Sequence, residues 1–251
     1  MALNIIGIGL NDEKDITIKG LDIVKKAKRV FLEYYTSILQ VDVKKLEEFY
    51  GKKIILADRE LVEKNSDKIL KDALNEDIAF LVIGDAFSAT THTDLKLRAL
   101  EKGIKVNVVH NASVLTAIGI TGLELYKFGK TTSIPFPQKG FEPETPYNVI
   151  KENGNLHTLV LLDLRPNENA FMTINDALTY LLIVEEKRQE LVFTQNTKCL
   201  AIARLGSDDC IIKYGKVKDL MKVDFGKPLH CLIIPGKLHF MEEDALKEFK
   251  I

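Results

Sequence analysis

Over roughly the first 110 residues, short runs rich in β-branched and aromatic side chains alternate with longer stretches whose apolar positions recur at helical spacing. That alternation strongly constrains the fold. Parallel strands cannot be joined by a tight turn and need a crossover segment, normally a helix, so the pattern predicts an α/β layer structure. Strands are expected at 3–8, 29–35, 52–57, 78–84 and 104–109, with helices near 18–27, 41–51, 60–74 and 91–103. Asp15 or Thr17 can cap the first helix, and Gly51 and Gly103 can close the second and the last. The run IAFLVIG at 78–84 is apolar on both alternating faces, as a strand inside a covered parallel sheet must be. Residues 1–112 are therefore read as one α/β domain with a mostly parallel five-stranded sheet.

The pattern then changes. Residues 131–149, TTSIPFPQKGFEPETPYNV, hold four of the seven prolines, and the helical stretch 113–126 ahead of them is read as a bridge into a second domain, 113–251. That domain is expected to carry strands at 157–164, 199–206, 210–215 and 228–236 and a helix at 173–191. The short gap between the 199–206 and 210–215 runs predicts antiparallel pairing, hence a mixed C-terminal sheet. A chain of 251 residues accommodates two such α/β domains.

Charge narrows the choice of partners. Lys and Arg total 35 against 36 Asp and Glu, a net charge of −1 with neither sign in a long block, which disfavours nucleic acid and anionic membranes. The start MALNIIGIGLNDEKD lacks the basic region and longer apolar core of a secretory signal, and each later apolar run is interrupted before spanning length, so a cytoplasmic location is expected. Cys199, Cys210 and Cys231 are odd in number and widely spaced, without a CxxC or Cys/His cluster, so they are read as reduced, mostly buried residues and no metal site is expected.

Ligands of open α/β sheets collect beyond the C-terminal strand ends. The first strand ends in Gly7-Ile8-Gly9-Leu10, where glycine lets backbone approach a ligand, although a plain tight turn explains the string equally. Asp12 stands where a dinucleotide fingerprint needs its third glycine, so an NAD site is disfavoured. The fourth strand runs into Gly84-Asp85-Ala86-Phe87-Ser88 and on to His92, which places a carboxylate and several small residues at the sheet edge, with helix capping as the alternative. His110-Asn111-Ala112-Ser113-Val114 repeats the arrangement after the fifth strand, again with capping as the alternative. In the second half, Leu164, Leu205 and His230 lie beside strand ends that read more readily as turns, and His157 and His230 read more readily as hydrogen-bonded structural residues. No Ser/His/Asp, HExxH, Walker or paired-carboxylate pattern is present.

Taken together, GIGLNDEKDIT, LEYYTS, GDAFSATTH, HNAS, GITGLELYKFGKTTSIPF, HTLVLLDLRP, ARLGSDD and PGKLHF resemble the diphthine synthases, members of the tetrapyrrole-methylase-like class of S-adenosylmethionine-dependent methyltransferases. The resemblance runs in order over nearly the whole chain and is to the compact archaeal type. It implies a homodimer of two-domain subunits with S-adenosylmethionine in the inter-domain cleft and S-adenosylhomocysteine as product, without a metal. By matching strings, the cofactor would contact Gly9, Leu10, Gly84, Asp85, Ser88, Ser113 and Val114, and on looser matches Leu164, Leu205 and His230. The implied substrate is elongation factor 2 carrying a 3-amino-3-carboxypropyl-histidine, N-methylated to diphthine.

A sulfonium activates its own methyl group, so such an enzyme mainly aligns a neutral amine behind that carbon. The amine must first lose a proton, and the residues leave the acceptor open among Asp85, His92 and bulk water. Two other classes remain at this point: a methyltransferase of the same fold acting on a corrinoid or RNA, and a non-catalytic module that keeps the cofactor pocket.

Overall fold

The computed structural model describes residues 1–137 and 143–251. The chain divides into two compact units, Met1–Ala117 and Ile118–Ile251.

In the first unit, β1 (Ala2–Gly7), β2 (Arg29–Glu33), β3 (Ile54–Ala57), β4 (Ile78–Val82) and β5 (Lys105–Val109) form one sheet in the order β3-β2-β4-β1-β5. Every neighbouring pair is parallel. The crossovers are α1 (Ile18–Lys26), α2 (Val43–Tyr50), a π-helical turn Glu60–Lys64 followed by α3 (Asp67–Asn75), and α4 (Thr93–Glu101). Thr17 caps α1 by accepting from the Gly20 N–H, Asp42 caps α2 through Lys45, and Gly51 ends α2 in the left-handed region. β4 shows why its sequence is apolar throughout. Ile78, Phe80 and Val82 enter the core on one face, and Ala79 and Leu81 enter the core on the other. β1 and β4 are neighbours whose connections leave in opposite directions, β1 toward β2 and β4 toward β5, which opens a crevice at their C-terminal ends.

The second unit has a mixed sheet in the order β11-β10-β12-β7-β6, built from β6 (Thr132–Ile134), β7 (Thr158–Leu162), β10 (Lys198–Ala203), β11 (Ile211–Lys216) and β12 (His230–Ile234). A separate hairpin joins β8 (Leu164–Arg165) to β9 (Ala170–Phe171). β6 pairs parallel to β7 and the other ladders are antiparallel. α7 (Ile174–Arg188) starts on a capping box between Thr173 and Asp176 and packs Ala177, Leu178, Leu181 and Val184 into the core.

The 113–126 stretch is not one bridging helix. It holds α5 (Val114–Ala117) and two 3₁₀ turns, Ile118–Thr121 and Leu125–Lys127. Gly122, at φ +79°, breaks it, and a Cβ there would lie 2.2 Å from that of Ala245. The proline-rich segment is also more regular than its composition suggests. It contributes β6 and the start of α6 (Thr145–Asn153), where Pro146 occupies the first turn and removes no helical hydrogen bond. Residues 138–142 of that segment lie outside the described residues. The chain closes with α8 (Val217–Leu220) and α9 (Phe240–Leu246).

His157 and Glu242 pin the second unit's C-terminal segment. Both are fully buried, with His157 Nε2 2.8 Å from Glu242 Oε1. The Gly236 N–H donates to His157 Nδ1, so Nε2 carries the proton and the ring is a neutral donor. Glu242 also accepts from the backbone N–H groups of Glu124 and His239 and from Lys127. Burial pushes its carboxyl up, but these donors outweigh burial and hold it at about 2. Removing one partner of a buried charge network strands the others, so Glu242→Ala should lower unfolding free energy by about 3–5 kcal/mol in chemical denaturation. In the parent chain the depressed carboxyl contributes stability above its unfolded value of 4.5, lost as pH falls from 4.5 toward about 2. A Glu242→Ala loss under about 1 kcal/mol would contradict this role.

Candidate functional site

The first unit's site grows out of two glycine turns. Gly9 and Gly84 follow β1 and β4 with φ of +84° and +85°, a conformation that strongly favours glycine. They face each other in a two-way backbone bond, Gly9 N to Gly84 O at 3.2 Å and Gly84 N to Gly9 O at 2.7 Å. A Cβ on Gly7 would fall 2.7 Å from Gly84 O, and one on Gly9 would fall 2.3 Å from the Asp15 Cβ. Gly9 is thus required by Asp15, whose Oδ2 accepts from the Leu10 and Asn11 N–H groups and folds the turn. On Gly84 the corresponding atom would meet nothing nearer than Ala112 O at 3.9 Å, Leu10 Cδ2 at 4.0 Å and Ser113 Cα at 4.0 Å. This is the open side of the arrangement.

Asp85 joins the next loop to it. The side chain is nearly buried, and Oδ1 accepts from Phe87 N–H at 3.1 Å and Ser88 Oγ at 3.0 Å. Oδ2 accepts from Asn111 N–H at 3.1 Å and lies 2.8 Å from His110 Nδ1. Burial raises the carboxyl, yet these four partners outweigh it and bring it down to about 2. Asp85 is therefore ionised at neutral pH and far too weak a base to take a proton from an ammonium group. Asn111, which no sequence pattern singles out beyond its loop, bonds through Nδ2 to the Gly7 and Asp15 carbonyls. The loops after β1, β4 and β5 are thus tied together.

Ser113 closes the group. Its side chain is buried and Oγ has no hydrogen-bond partner among the described residues. A buried hydroxyl without a partner carries a desolvation penalty, which a ligand acceptor or donor at that point would remove. α5, which starts at Val114, is a single turn, so no helix dipole adds anion affinity here. Leu10, Gly84, Asp85 and Ser113 thus lie together beyond the ends of β1, β4 and β5, with Gly9 packed on Asp15, Ser88 bonded to Asp85, and Val114 following Ser113 at the start of α5. The open face of Gly84 and the unpartnered Ser113 hydroxyl fit a polar organic cofactor, and no group of three or more His, Cys, Asp or Glu able to hold a metal occurs among the described residues.

In the second unit, β7 and β10 end, and β12 begins, at one edge of the sheet, since Ala203 pairs with His230 and Cys231 with Leu161. Leu164, Leu205 and His230 lie at that edge. His230 is nearly buried, accepts from Ile174 N–H at Nδ1 and directs Nε2 at Lys227 O. Burial lowers its pKa, and the two bonds fix a neutral ring. Arg204, buried at φ +52°, donates to the Phe225 and Lys227 carbonyls and to Asp209, which shapes the turn that presents Leu205. A cavity of about 360 Å³ adjoins His230, lined by Thr173, Ile174, Phe225 and Gly226 among others.

Comparison with known proteins follows the same lines. Residues 2–221 match the family model of Tetrapyrrole (Corrin/Porphyrin) Methylases. A diphthine synthase of Methanocaldococcus jannaschii is 52% identical over 98% of this chain and 97% of that protein. An Arabidopsis thaliana protein named "Probable diphthine methyl ester synthase" is 48% identical over 99% of this chain and 98% of its own length. A crystal structure of a diphthine synthase superposes with a TM-score of 0.91 at 39% identity, covering 100% of this chain and 96% of the other. The chain belongs to the tetrapyrrole methylase family, and within it to the diphthine synthases.

Proposed function

We propose that this chain transfers methyl groups from S-adenosylmethionine to the amino group of a 3-amino-3-carboxypropyl-histidine on elongation factor 2, forming diphthine. The observation that carries the reading is full-length similarity to diphthine synthases together with a crevice whose open glycine face and unpartnered Ser113 hydroxyl suit the cofactor. When bound, S-adenosylmethionine supplies a sulfonium-activated methyl group. The chain's own residues have the work of holding and aligning. Gly84 and Leu10 border the space, Ser113 Oγ offers a hydrogen bond, and the Asp85 carboxylate, bonded to Phe87, Ser88, His110 and Asn111, keeps the three loops in register. We propose cofactor contact for Gly9, Ser88 and Val114 as well, and the same role for Leu164, Leu205 and His230.

The Arabidopsis relative's name adds a second reading, esterification of the substrate carboxylate. Incubating the protein with radiolabelled S-adenosylmethionine and elongation factor 2 bearing the unmethylated intermediate tests both. N-methylation predicts label on the factor that withstands mild base, whereas a methyl ester predicts label released as methanol. Label on RNA or a corrinoid but not on the factor, or on nothing, would overturn the reading.

The chain is further proposed to act in the cytoplasm as a homodimer without nucleic acid. The net charge of −1 supports the last point, and among the described residues no helix is long and apolar enough to cross a membrane. Light scattering at micromolar concentration should give twice the 28.3 kDa chain mass, and the single-chain mass would refute the dimer.

Asp85→Asn preserves shape and removes charge. The amide nitrogen would face donors where an oxygen accepted two bonds, so the loops lose register and cofactor affinity by calorimetry should fall roughly 10- to 150-fold. The single-turnover rate at saturating cofactor should fall much less. Normal affinity with a collapsed rate would show Asp85 to be the base after all.

A further inference from the structure

With Asp85 held ionised and saturated with donors, the proton acceptor must lie elsewhere. Glu33 and His92, on the LEYYTS and GDAFSATTH strings, are both fully buried in the first unit. Glu33 Oε1 accepts from the Tyr35 N–H at 2.9 Å and from the Thr36 N–H, but Oε2 has no partner among the described residues. No hydrogen bond of good geometry reaches either ring nitrogen of His92 among the described residues, and the Ala86 carbonyl is the one acceptor that acts on the ring. The Thr90 hydroxyl is a further buried atom without a hydrogen-bond partner among the described residues.

Both side chains lie on one face of the sheet, with Tyr35 and Phe80 as shared neighbours. Phe31 and Tyr35 lie in the same core cluster as Phe80, whereas Leu32 lies in the opposite one, so Glu33 points to the Phe80 side between Phe31 and Tyr35. His92 covers that side, its ring centroid 5.2 Å from that of Phe80 and 6.4 Å from that of Tyr35. Glu33 ends β2, one residue beyond the Leu32–Leu81 pair, and Gly7 pairs with the next residue of β4, Val82. At about 4.8 Å per strand, Glu33 and Gly7 stand roughly 10 Å apart along the same C-terminal edge. The 84–92 loop itself begins with Gly84 and Asp85 and ends with His92.

A cluster of unpartnered buried polar atoms is the setting in which ordered water is found, because such water needs two to four polar partners. Resting on the methyl-transfer reading above, we propose that Glu33 and His92 share a proton through ordered water and together accept the proton that the substrate ammonium must lose before each transfer. The ammonium N–H bond breaks, its electron pair stays on nitrogen as the lone pair that forms the new C–N bond, and the proton passes along the water to the Glu33–His92 pair. From there Tyr35 Oη and Thr91 Oγ1, 3.4 Å apart, and Thr91 Oγ1 to Glu63 Oε1, also 3.4 Å, mark a route to a partly exposed carboxylate that returns the proton to solvent. Both residues act through water, so they are positioning residues for the proton.

The charges around the pair are few. Arg59 and Glu63 face it from the 58–64 segment, Arg59 lying over the Tyr35 ring at 5.4 Å, and Tyr35 faces it from beyond β2. β4 presents Phe80 and Val82, and α4 presents Leu95. Burial pushes the Glu33 carboxyl up, past the lowering by its backbone donors, and pushes the His92 ring down to about 4. A carboxyl raised in the folded state favours folding most below its unfolded value of 4.5, and that advantage fades as pH rises through the folded value. At neutral pH Glu33 is thus a stability burden, as expected of a group retained for chemistry.

Glu33→Gln tests this, because the amide oxygen can still accept from Tyr35 and Thr36. Its melting temperature at pH 7 should equal or exceed the parent's, and its cofactor affinity should stay within about twofold. Its single-turnover rate should fall roughly 10- to 100-fold at pH 7 and recover as pH approaches the amine's own pKa. His92→Phe, a ring that can pack between Phe80 and Tyr35, should change the pH profile in the same direction. Nuclear magnetic resonance of the cofactor-free protein should show the His92 titration midpoint dropping in Glu33→Gln, since the variant loses the carboxylate that favours the imidazolium. An unchanged midpoint overturns the sharing of the proton. An unchanged pH profile, or lowered stability and affinity at unchanged profile, overturns the role in transfer. If the parent chain itself transfers no label, the methyl-transfer reading fails, while the resonance experiment still decides whether the two residues are coupled.

Discussion

The two-way backbone bond between Gly9 and Gly84 is the contact on which the first unit's site depends. It couples the turns after β1 and β4 at the point where the two connections diverge, and it requires positive φ at both residues. Once those turns are paired, Asp85 falls within reach of Asn111 and His110, and Asn111 reaches back to Gly7 and Asp15. Three loops that would otherwise fluctuate separately become one preorganised surface, and preorganisation is what an alignment-based catalyst needs.

The polar groups divide by how completely they are satisfied. His157 with Glu242, His230 with Ile174 and Lys227, and Arg204 with its carbonyls and Asp209 are buried and fully bonded, and they hold backbone in place. Ser113 Oγ, Glu33 Oε2 and the His92 ring are buried without hydrogen-bond partners among the described residues. Tyr50 Oη and Glu76 Oε2 are further buried atoms of this kind away from the site, whereas these three lie at or beside the C-terminal edge of a single sheet. An unpartnered buried polar group carries a desolvation cost that a ligand or water at that point would relieve, which is the basis for the roles proposed for these three.

Much of this was legible in the sequence. The period-2 and helical patterns placed the strands and crossover helices of the first unit because each parallel strand is covered on both faces and must be apolar throughout, as β4 is. Glycine and aspartate at strand ends marked the loops after β1 and β4, but a tight turn or a helix cap explained them as well, and it is the Gly9–Gly84 pairing and the Asp85 bonds to Asn111 and His110 that join those loops. The 113–126 stretch misled because its apolar spacing is helical while Gly122 packs against Ala245, a tertiary contact no local pattern reveals. The proline-rich segment hid β6 and the start of α6, since composition does not tell a helix's first-turn proline from a loop proline. That Gly9 is held by Asp15, and that Asp85 is saturated by its neighbours, likewise depend on contacts between distant loops.

The claim at the centre is that the paired glycine turns and the unpartnered Ser113 hydroxyl form the cofactor's seat. A crystal structure of the chain grown with S-adenosylhomocysteine tests it most directly. The account predicts the ligand against Gly84 and Leu10, with Ser113 Oγ within hydrogen-bonding distance of it. Ligand bound elsewhere, with Ser113 Oγ still without a partner, would contradict it.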